Sequence, residues 1–323
     1  MADEPLRGAN KQAGADGRGA DGQSAAPARV DAGTPDAAPA HGDAGVPETL
    51  SARPDTDGIA LPTVFADEPA YAAQADALAE HLGTSATPDA AACRHAAAAH
   101  ADADERFPLF LRVGADGLTL MGNGMELRAD LSPLARRIKP GTIGREPLVK
   151  AARLKGFPGT PHAVDATAGL GQDALLLAAA GFEVDLYESD PVIAALLRDG
   201  LRRAADNPAL HEAVARMHAH EGDGIAALRA CSADGHAPDV VYLDPMFPAR
   251  RKSAAVKKKF QLLHRLERPC ADERMLLQAA LDARPRKVVV KRPPKGPYLA
   301  GVKPAYSLTS KAVRYDCLVL PRS

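Results

Sequence analysis

Ten consecutive residues, Val240-Val241-Tyr242-Leu243-Asp244-Pro245-Met246-Phe247-Pro248-Ala249, put a carboxylate, a rigid turn and one aromatic ring directly after an apolar strand. Such an ending can grip a flat base that carries an amino group. Asp244 and the Pro245 carbonyl would accept hydrogen bonds from the amine and leave its lone pair aimed outward, while Phe247 stacks on the ring. A second run, Val164-Asp165-Ala166-Thr167-Ala168-Gly169-Leu170-Gly171-Gln172-Asp173, is another apolar strand that ends in an acidic glycine turn and enters a helix. Ligands of open α/β sheets bind beyond the carboxyl ends of strands. The two runs therefore suggest a cofactor site and a reaction site on one sheet.

The first turn alone is ambiguous. Gly169-x-Gly171-x-x-Ala174 fits the dinucleotide fingerprint, and Glu188 stands near the offset of a ribose-binding acid, so an NAD-dependent oxidoreductase stays open on these residues. Asp165 before the glycines and Asp173 at the helix start favour a cationic sulfonium, S-adenosylmethionine, because pyrophosphate would want no carboxylate there. Asp173 is also compatible with ordinary stabilisation of a helix start. At the second strand end Glu188 and Ser189 suit a ribose diol. At the third, within Glu221-Gly222-Asp223-Gly224, an acidic side chain can bond an adenine amino group, cap the next helix, or do both. The fourth turn, Asp244-Pro245-Met246-Phe247, resembles the (D/N)PP(Y/F) motif of enzymes that methylate exocyclic amines, an arrangement hydride transfer gives no reason for.

The elements that must position these turns alternate. Strands at 163–167, 183–187, 214–219 and 238–243 are separated by helices at 172–180, 191–205 and 224–231; a helix near 271–283, a strand at 287–290 and a closing antiparallel pair near 304–308 and 313–319 follow. This pattern predicts an α/β, Rossmann-like fold with a largely parallel sheet over residues 136–323. Before it, 59–135 reads as a small N-terminal α/β portion: a strand near 61–65, a helix at 70–82, an Ala-rich helix or insertion at 90–101, and a hairpin of 107–113 with 118–121. Residues 136–145 read as a basic, glycine-punctuated loop that touches phosphate or merely links, ahead of a helix at 147–154. Residues 1–58 are Ala, Gly, Asp and Pro with almost no large apolar side chains, and are expected to be a disordered tail.

A net charge of −1 conceals segregation. Residues 1–60 hold 10 acidic and 5 basic side chains, whereas 244–323 hold 6 acidic and 19 basic. The basic end suits a polyanion. Arg250, Arg251, Lys252, Lys257, Lys258, Lys291 and Arg292 lie just past the fourth turn or at the next strand end, and read as phosphate contacts. The four cysteines, Cys93, Cys231, Cys270 and Cys317, form no CxxC pair, so no zinc ribbon or redox dithiol is expected, nor any metal. With no long apolar run and no signal pattern, the expectation is a cytoplasmic enzyme with reduced thiols and no membrane partner.

DATAGLGQDA, VVYLDPMFP followed by RRKSAAVKKK, and KVVVKRP, in that order, resemble the RsmJ family of bacterial 16S ribosomal RNA guanine 2-amino methyltransferases over about residues 135–319. The resemblance implies an S-adenosylmethionine-dependent enzyme acting on 16S rRNA or the small-subunit particle. It implies cofactor contacts at Gln172, Asp173, Glu188, Ser189, Asp223, Gly224 and Asp244, beside Asp165, Gly169 and Gly171 from the turn itself, and a catalytic group of Asp244, Pro245 and Phe247. Gln172 and Ser189 depart from the family's usual arginines, and the 221–224 turn departs from its serines. Another amine methyltransferase, on DNA adenine or a protein side chain, and a non-catalytic RNA-binding module are the alternatives.

Overall fold

The computed structural model describes residues 61–99, 107–233, 235–245, 258–266 and 272–321. Its first elements are β1 (Thr63–Ala66), α1 (Ala72–Leu82), β2 (Ala86–Thr87), α2 (Ala90–Ala98), β3 (Phe110–Gly114), β4 (Gly117–Gly122) and β5 (Met125–Leu127). They form a five-stranded sheet in the order β2-β1-β3-β4-β5. The Ala-rich stretch is helical because Asp89 caps it, accepting from the Ala92 amide at 2.9 Å. β5 is absent from the sequence-based expectation, although the cue was there. Asn123 and Gly124 both have positive φ between the paired residues Gly122 and Met125, the two-residue turn that Asn-Gly favours.

Two short helices, α3 (Pro140–Ile143) and α4 (Pro147–Ala152), lead into the second sheet. The segment expected as a basic loop thus holds a helical turn. Pro140 begins that turn with its φ already helical, and Thr142 Oγ1 donates back to the carbonyls of Arg136 and Lys139. The alternation follows with β6 (His162–Asp165), α5 (Gln172–Ala179), β7 (Glu183–Glu188), α6 (Pro191–Ala205), α7 (His211–Val214), β8 (Met217–Glu221), α8 (Gly224–Ala233), β9 (Val240–Leu243), α9 (Lys258–Leu266), α10 (Glu273–Asp282), β10 (Lys287–Arg292), β11 (Tyr306–Thr309) and β12 (Arg314–Val319). The seven strands pair in the order β11-β12-β10-β9-β6-β7-β8, all parallel except β12 against its two neighbours. The expected Rossmann-like architecture is present.

Both faces of this sheet are covered, so its central strands are apolar throughout. Ala163, Val240, Tyr242 and Val289 enter the core beneath α4 and α5, while Val164, Val241, Leu243, Val288 and Val290 enter the one beneath α8 and α10. Chain order reverses between β6 and β9, which are direct neighbours. A crevice therefore opens at their carboxyl ends.

α6 joins the two sheets. Val192, Ile193, Ala195 and Leu196 pack on Leu118, Leu120 and Leu127 of the smaller sheet and on Leu262, Leu263 and Leu266 of α9, whereas Leu197, Leu201 and Ala204 face the larger one. Asp199 on the same helix accepts from the Leu118 amide at 3.0 Å. Leu196 is fully buried at this seam. Leu196→Ala is expected to cost about 2–5 kcal/mol of unfolding free energy, read by urea denaturation.

Candidate active site

Two glycines shape the first turn. Gly169 (φ 53°) and Gly171 (φ 74°) occupy the left-handed region between Asp165 and α5. Glu188, at the end of β7, braces this turn: Oε2 accepts the Gly169 amide at 2.8 Å and Oε1 the Asp190 amide at 2.9 Å. Burial pushes its carboxyl up, opposed by these amides. Ser189 beside it and Gln172 at the start of α5 are exposed.

Thr167 ties the first turn to the fourth. Asp165 Oδ1 accepts from the Thr167 amide at 3.0 Å and its hydroxyl at 3.4 Å, and Thr167 Oγ1 accepts the Asp244 amide at 2.7 Å. The parallel pairing of Asp165 with Tyr242 makes that reach short. Asp244 is partly exposed and Pro245 is buried.

The third turn enters α8 through Asp223, whose Oδ1 accepts the Ile225 amide at 2.9 Å. Gly224 packs flat on the first turn. A Cβ there would overlap the Ala166 carbonyl oxygen and lie 2.8 Å from the Ala166 Cβ. Glu221 is engaged elsewhere, with Arg198 at 2.8 Å and His81 at 2.7 Å.

Lys291 lies inside the site. Its Nζ donates to Asp173 Oδ2 at 2.6 Å and Asp244 Oδ2 at 2.8 Å, and the Tyr242 hydroxyl donates to the same Asp173 oxygen at 2.6 Å. This corrects the expectation that Lys291 meets phosphate. Arg292 is corrected too: it is buried, with Nε on the Pro297 carbonyl at 2.8 Å and an ion pair to Glu273 at 3.3 Å. The alternation of a strand turns successive side chains to opposite faces, so two adjacent cations cannot both serve one surface. Thr167 and Tyr242 were missed as site residues, and Lys291 was singled out for another role. Lys291 follows Val290, the partner of Leu243, and so stands level with Asp244, a register that only the folded sheet shows. Phe247, Arg250, Arg251, Lys252 and Lys257 lie outside the described residues, and Lys258 is the first residue of α9.

Two carboxylates, Asp173 and Asp244, thus border a crevice at the start of α5, with the buried Asp165 behind them. Asp173 occupies the helix start that a pyrophosphate would need. The donor set fits S-adenosylmethionine: Asp173 and Asp244 for its cationic groups, and Gly169, where a Cβ would meet nothing within 4 Å and a ligand can approach the backbone closely.

Comparison with known proteins agrees. A family model described as putative SAM-dependent methyltransferase matches residues 99–320. Ribosomal RNA small subunit methyltransferase J of Pseudomonas aeruginosa (strain UCBPP-PA14) is 44% identical over 221 residues, 66% of this chain and 83% of that protein. The chain belongs to this methyltransferase family. The Dechloromonas aromatica relative of the same name is 43% identical over 213 residues, covering 64% of this chain and 85% of its own. The crystal structure of a SAM-dependent methyltransferase from Neisseria gonorrhoeae matches with a TM-score of 0.58 and 29% identity, over 80% of this chain and 95% of that one. Membership makes S-adenosylmethionine the cofactor and sets the oxidoreductase reading aside.

Burial pushes the Asp165 carboxyl up to about 8, opposed by the Thr167 amide and reinforced by Asp173 and Asp244. Folded protein then holds this proton at pH values where the unfolded chain, near an ordinary 3.9, has lost it. The stabilising contribution is complete below about pH 4 and is lost as pH climbs to about 8, at up to about 1.4 kcal/mol per pH unit. Asp165→Asn is expected to lack this slope. Urea midpoints from pH 4.5 to 8.5 would test it, and parallel curves for the two proteins would refute the assignment.

Proposed function

We propose that this methyltransferase transfers a methyl group from S-adenosylmethionine to the exocyclic 2-amino group of a guanosine in small-subunit ribosomal RNA. The observation that carries the reading is the end of β9. Asp244, its amide on Thr167 and its carboxylate on Lys291, stands beside the glycine turn of the cofactor crevice. S-adenosylmethionine supplies an electrophilic methyl group when bound. Asp244 Oδ1 and the Pro245 carbonyl accept the hydrogens of the amine and hold its lone pair in line, so that rate comes from orientation and fixed dipoles. Asp244 is also the nearest base for the proton that the methylated amine sheds. Phe247 is proposed to stack on the base.

The ribosomal substrate is supported by the name of the relatives and by the basic C-terminal region. Phosphate contacts are proposed at Arg250, Arg251, Lys252, Lys257 and Lys258, joined by the exposed Arg136, Lys139 and Arg145 around α3. Cys93 and Cys317 are free thiols, which suits the cytoplasm as the compartment. Among the described residues no helix is long and apolar enough to cross a membrane, and no group of side chains could hold a metal ion.

The test is transfer of labelled methyl to 16S RNA and to small-subunit particles from cells lacking this protein, with nucleoside analysis of the product. Labelled 2-methylguanosine is expected. Cofactor binding with no label on either substrate would move the activity to another amine, in DNA or protein.

A further inference from the structure

Lys291 is the ammonium that the Asp173 and Asp244 carboxylates share, each within 2.8 Å of it. We propose that Lys291 is a positioning residue of methyl transfer: it holds the Asp244 carboxylate oriented as acceptor for the target amine and ties it to Asp173 on the cofactor side. The proposal rests on the reading of Asp244 as the amine acceptor.

Geometry carries the argument. Asp244 has two oxygens, and Lys291 engages Oδ2, which leaves Oδ1 for the amine and fixes the plane in which it can accept. Asp173 is in turn pinned by the Tyr242 hydroxyl on the same oxygen that Lys291 uses. A rotation of Asp244 must therefore break a network whose other members come from α5, β9 and β10. β10 is an interior strand, paired on both sides, so the lysine is delivered from a rigid element.

Electrostatics point the same way. Burial raises the Asp244 carboxyl and Asp173 adds repulsion, while Lys291 lowers it. Burial works against the Lys291 ammonium, yet Asp173 and Asp244 raise its pKa overall, so it stays charged. The other titratable groups that face this cluster are Asp165 from β6, Tyr242 from β9, Tyr315 from β12 (paired in register with Lys291), and Arg137 and Glu146 from the segments flanking α3, while Arg292 acts through its charge from the other face of β10. Of these cations, only Lys291 is bonded to Asp244 among the described contacts.

The experiment compares Lys291→Met and Lys291→Arg with the parent for rate against pH at saturating S-adenosylmethionine, and for cofactor affinity by calorimetry. Lys291→Met is expected to move the acid limb of kcat up by about 1–3 pH units and to lower kcat at pH 7 by about 10-fold or more. Its affinity for the cofactor should be held or tightened, because a cation has left the neighbourhood of a cationic ligand. Lys291→Arg should restore the acid limb. An unmoved limb with kcat within 2-fold of the parent would overturn the proposal, as would a loss confined to cofactor affinity. If the Met variant does not fold, Lys291→Gln, which keeps a donor and removes the charge, carries the same readouts. Asp244→Ala assayed alongside separates the two failures. An active Asp244→Ala would sink the amine-acceptor reading itself, whereas an inactive one beside an unchanged Lys291→Met would sink this proposal alone.

Discussion

Asp244→Ala is expected to lower the single-turnover rate of methyl transfer by about 10³-fold or more with the fold intact. The structural link of this residue is its main-chain amide, which donates to Thr167 Oγ1 and survives the substitution. Lys291 keeps Asp173 as a partner, so no buried ammonium is stranded. The side chain alone is removed, and with it the acceptor that orders the amine and the carboxylate nearest the departing proton. The size of the loss follows from two contributions that each reach about 10²-fold when a reacting group is misplaced or an oriented dipole is deleted. Rapid-quench transfer with a melting curve and a calorimetric cofactor titration measures all three properties. A rate within about 10-fold of the parent would end the proposed mechanism, since the remaining acceptors would then suffice.

Gly224→Ala is expected to lower stability by about 1–3 kcal/mol and to weaken S-adenosylmethionine binding more than about 10-fold. At a helix start alanine ordinarily stabilises relative to glycine, so the sign is diagnostic. The added Cβ would meet the Ala166 carbonyl oxygen, with Ala166 carbonyl carbon at 2.9 Å, and these are backbone atoms between Asp165 and Thr167. They yield only by displacing the turn that holds the cofactor crevice together. Gly222→Ala, two residues earlier, is the control, because a Cβ there has nothing within 4 Å. Equal effects at the two glycines would show that the 221–224 turn tolerates displacement and that its packing does not shape the site.

The strands and helices of the larger sheet were legible because each carries its own punctuation. Asp190-Pro191 marks the start of α6, and Asp190 does accept the Val192 and Ile193 amides there. Gly181 (φ 96°) ends α5 in the conformation its type allows. α7 and α3 were not foreseen; each is four residues long, too short for periodicity to register. α9 was not foreseen, since its apolar face, Leu262, Leu263 and Leu266, becomes meaningful only once β5 and α6 are there to cover it.

By itself the sequence determined the alternating pattern, the glycine turn, and the carboxylates that end three strands: Asp165, Glu188 and Asp244. These are local properties, written in residue type and in periods of 2 and 3.6 along the chain. Tertiary structure decided the rest. The pairing of β9 between β6 and β10 sets Thr167 under the Asp244 amide and Lys291 beside its carboxylate, joining residues 77 and 47 positions apart. The same pairing turned Arg292 inward and made Glu188 a brace for Gly169. Such contacts depend on strand order and register, which follow from the packing of the whole sheet and leave no trace in any one stretch of chain.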